Sequence, residues 1–289
     1  MDRPNWDGGD ANAPGDRNPW ASSADRTQAS NSDAPGPDGE AAHDPRGGPI
    51  LNIAPILAWT LIAIWVVATV SWFLPGLIFP ALEPYLILSS LKFSAGPAAN
   101  GGVFNMLAPL IGHMFLHADL LHLGMNSLWF LAFGAPVYRR LVTGGEAPPG
   151  FAIGLAETTP HRPWPALLFV LFFLVSGIGG ALAFIIVTAP SAAVLVGASG
   201  GVSGLLGGLA LFMGQRGPLF SKGYRPLAPI FSRTVLVWAI AVSAVNIAVG
   251  VFGLGVGPDG PNIAWEAHLG GFFTGLVTFP LFDRLARRS

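Results

Sequence analysis

From residue 50 onward the chain is written in long apolar runs separated by short polar breaks. Ile53–Leu74 is 22 residues without a charge, enough to cross ~30 Å of hydrocarbon at ~1.5 Å per residue as a helix. Further runs cover Leu120–Val137, Ala166–Val187, Val194–Met213, Thr234–Leu254 and Ala264–Phe282, so the pattern predicts six membrane spans. The fourth and sixth carry glycine clusters and polar residues, which places them inside the bundle rather than against lipid. The connection from Pro75 to Asp119 is long and apolar, with Glu83 and Lys92 as its interior charges. It is too greasy for water and too broken by Gly and Pro to span, and it reads as a partly embedded re-entrant hairpin. The segment from Gly144 to Pro165 is rich in Pro and Gly and reads as a simple connector.

Residues 1–49 break this pattern. They hold nine acids and four arginines for a net charge of −5, with too little apolar surface to offset the entropy of ordering, and are expected to be disordered. No signal-peptide core or transit-peptide composition is evident there. The organisation expected is therefore an acidic tail (1–49), a membrane domain (50–285) and a short basic tail (286–289).

Composition agrees with the pattern. The chain is 52% hydrophobic and 11% charged, against roughly 25% charged in soluble domains. Fifteen basic against sixteen acidic residues leave no basic surface for a nucleic acid. With no cysteine, disulfides, thiolate metal sites and a cysteine nucleophile are excluded. Charge placement then orients the spans. The N-terminal tail, the 2–3 loop, the 4–5 loop and the C-terminal tail together carry 14 of the 15 Lys and Arg residues, and the opposite side carries Lys92 alone. The excess of positive charge marks the cytoplasmic side, so both termini are expected there.

Polar groups inside spans are costly and are read as functional first. The second span carries His122 and Asn126, one turn apart on one face. The fourth carries Ser199 and Ser203 among glycines, and the sixth carries Glu266 and His268. Ser199 lies 17 residues before Arg216, His122 17 before Arg139 and His268 16 before Arg284. At ~1.5 Å per residue, all three stand ~24–25 Å from the basic side, in one layer near the outer surface. Serine, histidine and an amide donor in one layer suit acyl transfer: the hydroxyl needs a base to take its proton, and the developing oxyanion needs fixed donors. Gly200, Gly204 and Gly208, with Gly271 and Gly275, let the fourth and sixth helices approach closely enough for a Ser–His contact.

Several polar residues have plainer readings. Ser203 also sits in a Gly-x-Ser-Gly string but one turn deeper, and is read as a packing residue. His113, His117 and His122 lack the carboxylates of a metal set; Asp119 is read as a helix N-cap and His117 as a hydrogen bond holding the first loop. Asn246 on the fifth span is read as interhelical glue, with lining of a substrate path as its minor alternative.

The segments Gly197-Ala198-Ser199-Gly200, His122-Leu123-Gly124-Met125-Asn126 and Ala267-His268-Leu269-Gly270-Gly271-Phe272-Phe273-Thr274-Gly275 resemble the GxSG, HxxxN and AHxxGxxxG motifs of rhomboid intramembrane serine proteases, in family order. The resemblance covers about residues 50–285. It implies a six-helix membrane bundle, a Ser199–His268 dyad without a third acid, His122 and Asn126 as oxyanion donors, and single-span membrane proteins cut near the outer surface as substrates. Gly197, Gly200, Gly204, Gly271 and Gly275 pack around that site. The sequence departs from the family pattern in the first loop, which lacks the Trp-Arg pair, at Tyr138 in place of Glu, and at Ser203 in place of an aromatic residue. The expected protein is an integral membrane endopeptidase of a bacterial plasma membrane. Its partners are substrate helices and the lipid bilayer, and the sequence assigns no cofactor, metal, nucleic-acid partner or oligomeric state. The alternative from another class is an inactive rhomboid-like scaffold or chaperone that binds transmembrane helices.

Overall fold

Runs of Leu, Ile, Val, Phe and Ala without charges satisfy their backbone groups internally as helices, the one open structure that leaves no polar backbone facing lipid. The computed structural model describes residues 53–145, 163–213, 225–253 and 263–288. The acidic tail 1–49 and most of the connector between Gly144 and Pro165 lie outside the described residues. The elements are α1 (Pro55–Phe73), α2 (Pro75–Leu86), β1 (Leu88–Ser89), α3 (Ser90–Ser94), α4 (Gly96–Ala99), α5 (Val103–Leu107), α6 (Pro109–Gly112), a 3-10 turn (His113–Phe115), α7 (Leu120–Thr143), α8 (Pro163–Thr188), β2 (Val194–Leu195), α9 (Ser199–Met213), α10 (Arg233–Phe252) and α11 (Trp265–Ala286).

Among the described residues α1, α7, α8 and α10 are long and apolar enough to cross a membrane. The other two expected spans are helical as well, but α9 has only 15 residues. Its start differs from the expectation: Val194 and Leu195 belong to a strand, and the helix begins at Ser199. Gly197 dictates this, because its φ of 113° is open to glycine and breaks any helix running through it. The apolar run therefore divides into a strand, a turn and a helix, which periodicity alone could not separate.

The first loop is a folded subassembly. Pro75 and Pro109 sit at the starts of α2 and α6, where a missing N–H costs nothing. Gly112 lies so close to the Tyr85 carbonyl that a side chain there would overlap it, which folds the end of the loop onto its beginning. β1 pairs antiparallel with β2, Leu88 opposite Leu195 and Ser89 opposite Val194. This tie fastens the loop to the chain entering α9.

α9 is enclosed by α7, α8 and α11. Its glycines set the spacing. A methyl group on Gly271 would fall on the Gly200 carbonyl, one on Gly275 on the Gly204 carbonyl, and one on Gly207 on the Phe272 carbonyl. The α9 and α11 backbones are in direct contact along this line, where dispersion between close backbones replaces the hydrophobic drive that lipid does not provide. Below the glycines the core is aromatic. Phe130 meets Phe173 edge-on at 5.1 Å, and Phe172 contacts Phe279 at 5.2 Å and Phe282 at 5.3 Å, geometries that suit the ring quadrupole.

The far ends of α7 and α11 are joined by a buried ion pair. Arg140 Nε donates to Asp283 Oδ1 at 2.6 Å, and Arg140 Nη2 donates to the Arg225 carbonyl at 3.0 Å. The guanidinium also lies over the Phe212 ring of α9, 5.2 Å from its centroid. Arg140 thus binds α7, α9, α11 and the segment preceding α10 at one end of the bundle.

Candidate active site

The candidate residues gather at the opposite end. Ser199 is the first residue of α9, His122 the third of α7 and His268 the fourth of α11. Asp119 caps α7 by accepting from the His122 backbone N–H at 2.7 Å, as read from the sequence. Capping fixes the start of that helix, and with it the direction of His122 and Asn126.

The turn before Ser199 is held by the first loop. Gly197 N–H donates to the His113 carbonyl at 2.8 Å, Ser90 N–H donates to the Ala193 carbonyl at 3.0 Å, and Ala198 N–H points at His117 Nε2 at 3.5 Å. His117 is in turn fixed by Trp72, whose indole N–H donates to the His117 carbonyl at 2.8 Å. Burial, reinforced by neighbouring His122, pushes the His117 imidazole down to about 4. The ring is therefore neutral and able to accept. The sequence assigned His117 to the first loop, and its partner is the turn that presents Ser199.

Gly197 is the meeting point of two elements. A Cβ there would lie 2.7 Å from the His122 ring and 3.7 Å from Asn126 Nδ2. Gly197 is thus a turn residue admitting His122, where the sequence reading had grouped it with the helix-packing glycines. Asn126 is 7% exposed, and its Nδ2 has no hydrogen-bond partner among the described residues. A buried amide donor left unpaired costs about 1–3 kcal/mol, and this one lies beside the turn that leads into Ser199.

α11 approaches from the other side. The Ala267 carbonyl lies 3.4 Å from a Cβ built on Gly200, and Gly200 and Gly271 are in backbone contact. Gly180 on α8 closes the group, since its Cβ would stand 2.6 Å from the Ala267 carbonyl and 3.2 Å from Gly200 Cα. Gly180 is not among the glycines expected at the site, and the signal for it in the sequence is the Gly177-Ile178-Gly179-Gly180 string inside an apolar span. His268 makes its hydrogen bond through Nδ1, 2.8 Å from Asn246 Oδ1 on α10. No hydrogen bond joins Ser199 to His268 among the described residues, so the two stand on backbones in contact without a formed proton path. Ser203 lies one turn below Ser199 and is half-buried, and Glu266 occupies the first turn of α11, where an acid suits the helix dipole.

The geometry gathers a serine at a helix N-terminus, the His122 and Asn126 side chains beside its turn, and a second histidine with an amide partner. Comparison with curated proteins gives no match. The rhomboid domain family model matches residues 105–284, more than half of the chain. The chain is therefore a member of the rhomboid family and an integral membrane protein.

Proposed function

We propose that the protein is an intramembrane serine endopeptidase that cleaves single-span membrane proteins near the outer membrane surface. The observation that carries this reading is the meeting at Gly197 and Gly200. His122 and Asn126 press on one side of the Ser199 turn, and the backbone bearing His268 presses on the other.

In this mechanism Ser199 Oγ attacks a peptide carbonyl while His268 takes its proton. Negative charge develops on the carbonyl oxygen, where the His122 side chain, the unpaired Asn126 amide and the first backbone N–H groups of α9 donate to it. His268 then gives the proton to the leaving amine, an acyl-enzyme forms on Ser199, and water activated by His268 releases it. A site at the helix ends admits that water, whereas one at mid-span would not. The absent Ser199–His268 hydrogen bond fits a resting site that tightens once substrate is bound.

The six-span arrangement, which rests on the apolar runs, and the cytoplasmic termini, which rest on the 14-to-1 distribution of basic residues, belong to the same proposal, as does residence in a bacterial plasma membrane. The test is cleavage of a single-span substrate in proteoliposomes by wild type, Ser199→Ala and His268→Ala. Both variants are expected to be silent. Undiminished cleavage by Ser199→Ala contradicts the assignment, loss confined to Ser203→Ala moves the nucleophile, and a wild type that binds but never cuts supports the inactive scaffold.

A further inference from the structure

Asn246 lies near the middle of α10, a helix that buries little of itself apart from Val235. An amide in such a helix is costly unless it has a task. Two of its contacts define that task. Asn246 Nδ2 donates to the Val242 carbonyl at 2.9 Å, and Asn246 Oδ1 lies 2.8 Å from His268 Nδ1.

The chemistry of the partners fixes the amide's orientation. The Val242 carbonyl can only accept, so the NH2 of Asn246 must face it. The oxygen then faces His268, and because an amide oxygen can only accept, His268 Nδ1 must carry the proton. Nε2 is left with the lone pair. One turn further along α10, Gly250 carries the helix onto α11: a side chain there would overlap the Trp265 indole. Asn246 and Gly250 share a helix face, and that close approach sets Asn246 over His268.

We infer that Asn246 is a positioning residue: it holds His268 in the Nδ1–H tautomer and in a fixed ring orientation, which leaves Nε2 as the nitrogen that receives the Ser199 proton. The inference rests on the reading of His268 as the base. It adds a neutral third member to the dyad, contributed by the fifth of the expected spans. An amide suits this place because it orients the ring without placing a charge in the bilayer. Because α10 is otherwise thinly packed, the orientation of His268 depends on where α10 lies.

The experiment combines kinetics with 15N NMR of histidine-labelled full-length protein in detergent micelles, the His268 signals being assigned by their loss in His268→Asn. Wild type is expected to show a protonated Nδ1 and an unprotonated Nε2 at His268. Asn246→Ala is expected to mix the tautomers and to lower kcat on the order of 10²-fold with KM nearly unchanged. Asn246→Asp keeps an acceptor and is expected to recover much of the rate, and Gly250→Ala, which pushes on Trp265, is expected to give a weaker loss of the same kind. A protonated Nε2 in wild type overturns the inference without recourse to any variant. So does Asn246→Ala with wild-type kcat and an unchanged tautomer, while Ser199→Ala and His268→Ala remain silent. Full cleavage by His268→Ala overturns the dyad itself, and the inference with it.

Discussion

The proposed role asks Ser199 to be open enough to meet a peptide and fixed enough to meet a base. The structure reconciles these demands by placing it first in α9, after a turn anchored at Gly197 and Ala198. Asn126 is the residue whose cost is most visible, since its buried Nδ2 has no partner among the described residues. If that donor waits for an oxyanion, Asn126→Ala lowers kcat by about 10²- to 10³-fold and leaves the melting temperature equal to or above that of wild type, because an unpaired polar group is removed. Steady-state kinetics and a thermal melt check both halves. His117 is the pH-sensitive residue of the turn. Unfolded, its ring takes a proton near 6.5; folded, it resists until about 4. The unfolded chain thus binds more protons within that window, so stability is complete above it and falls as pH drops from 6.5 towards 4. Thermal melts across that range are expected to decline less steeply for His117→Gln than for wild type.

Among the helices, contact between α9 and α11 is the condition for any Ser–His chemistry. A methyl on Gly275 would fall on the Gly204 carbonyl, and neither partner is a flexible side chain that could give way. Gly275→Ala is expected to destabilise the fold by about 1–3 kcal/mol and to slow cleavage by moving His268 away from Ser199; melts and kcat measured on one preparation check it. The small-residue spacing made this contact legible in the sequence, charge-free runs did the same for α1, α7, α8 and α10, and Asp119 marked the start of α7. What the sequence hid has a physical reason in each case. Val194 and Leu195 are as apolar as a span, and only the pairing with Leu88 and Ser89, about a hundred residues away, makes them a strand. Asn246 does make the interhelical bond read from the sequence, but the choice of His268 as its partner is made by packing at Gly250 and Trp265. Nothing local to Arg140 identifies Asp283, 143 residues away, as its partner.

The bundle formed by the described helices has two unlike ends. One gathers Ser199, His122, Asn126 and His268 at helix N-termini beneath the first loop; the other is fastened by Arg140 and Asp283, whose side chains are 5% and 1% exposed. Removing one partner of such a pair strands a buried charge, so Arg140→Ala is expected to cost about 3–5 kcal/mol, while the paired replacement Arg140→Met with Asp283→Leu costs much less. Denaturation of both variants in one detergent checks the difference, and cleavage by the double variant is expected to persist because the site lies at the other end. Charge is also unevenly distributed along the chain: nine of the sixteen acids lie in residues 1–49, and the six apolar runs carry only His122, Glu266 and His268 as ionisable groups. The most direct measurement of the central claim is covalent trapping with a fluorophosphonate probe in liposomes, with the modified residue located by mass spectrometry. The account predicts a single adduct on Ser199 Oγ that His268→Ala abolishes while Ser203→Ala leaves it intact; an adduct on Ser203, or labelling of Ser199 that persists at full rate in His268→Ala, would contradict it.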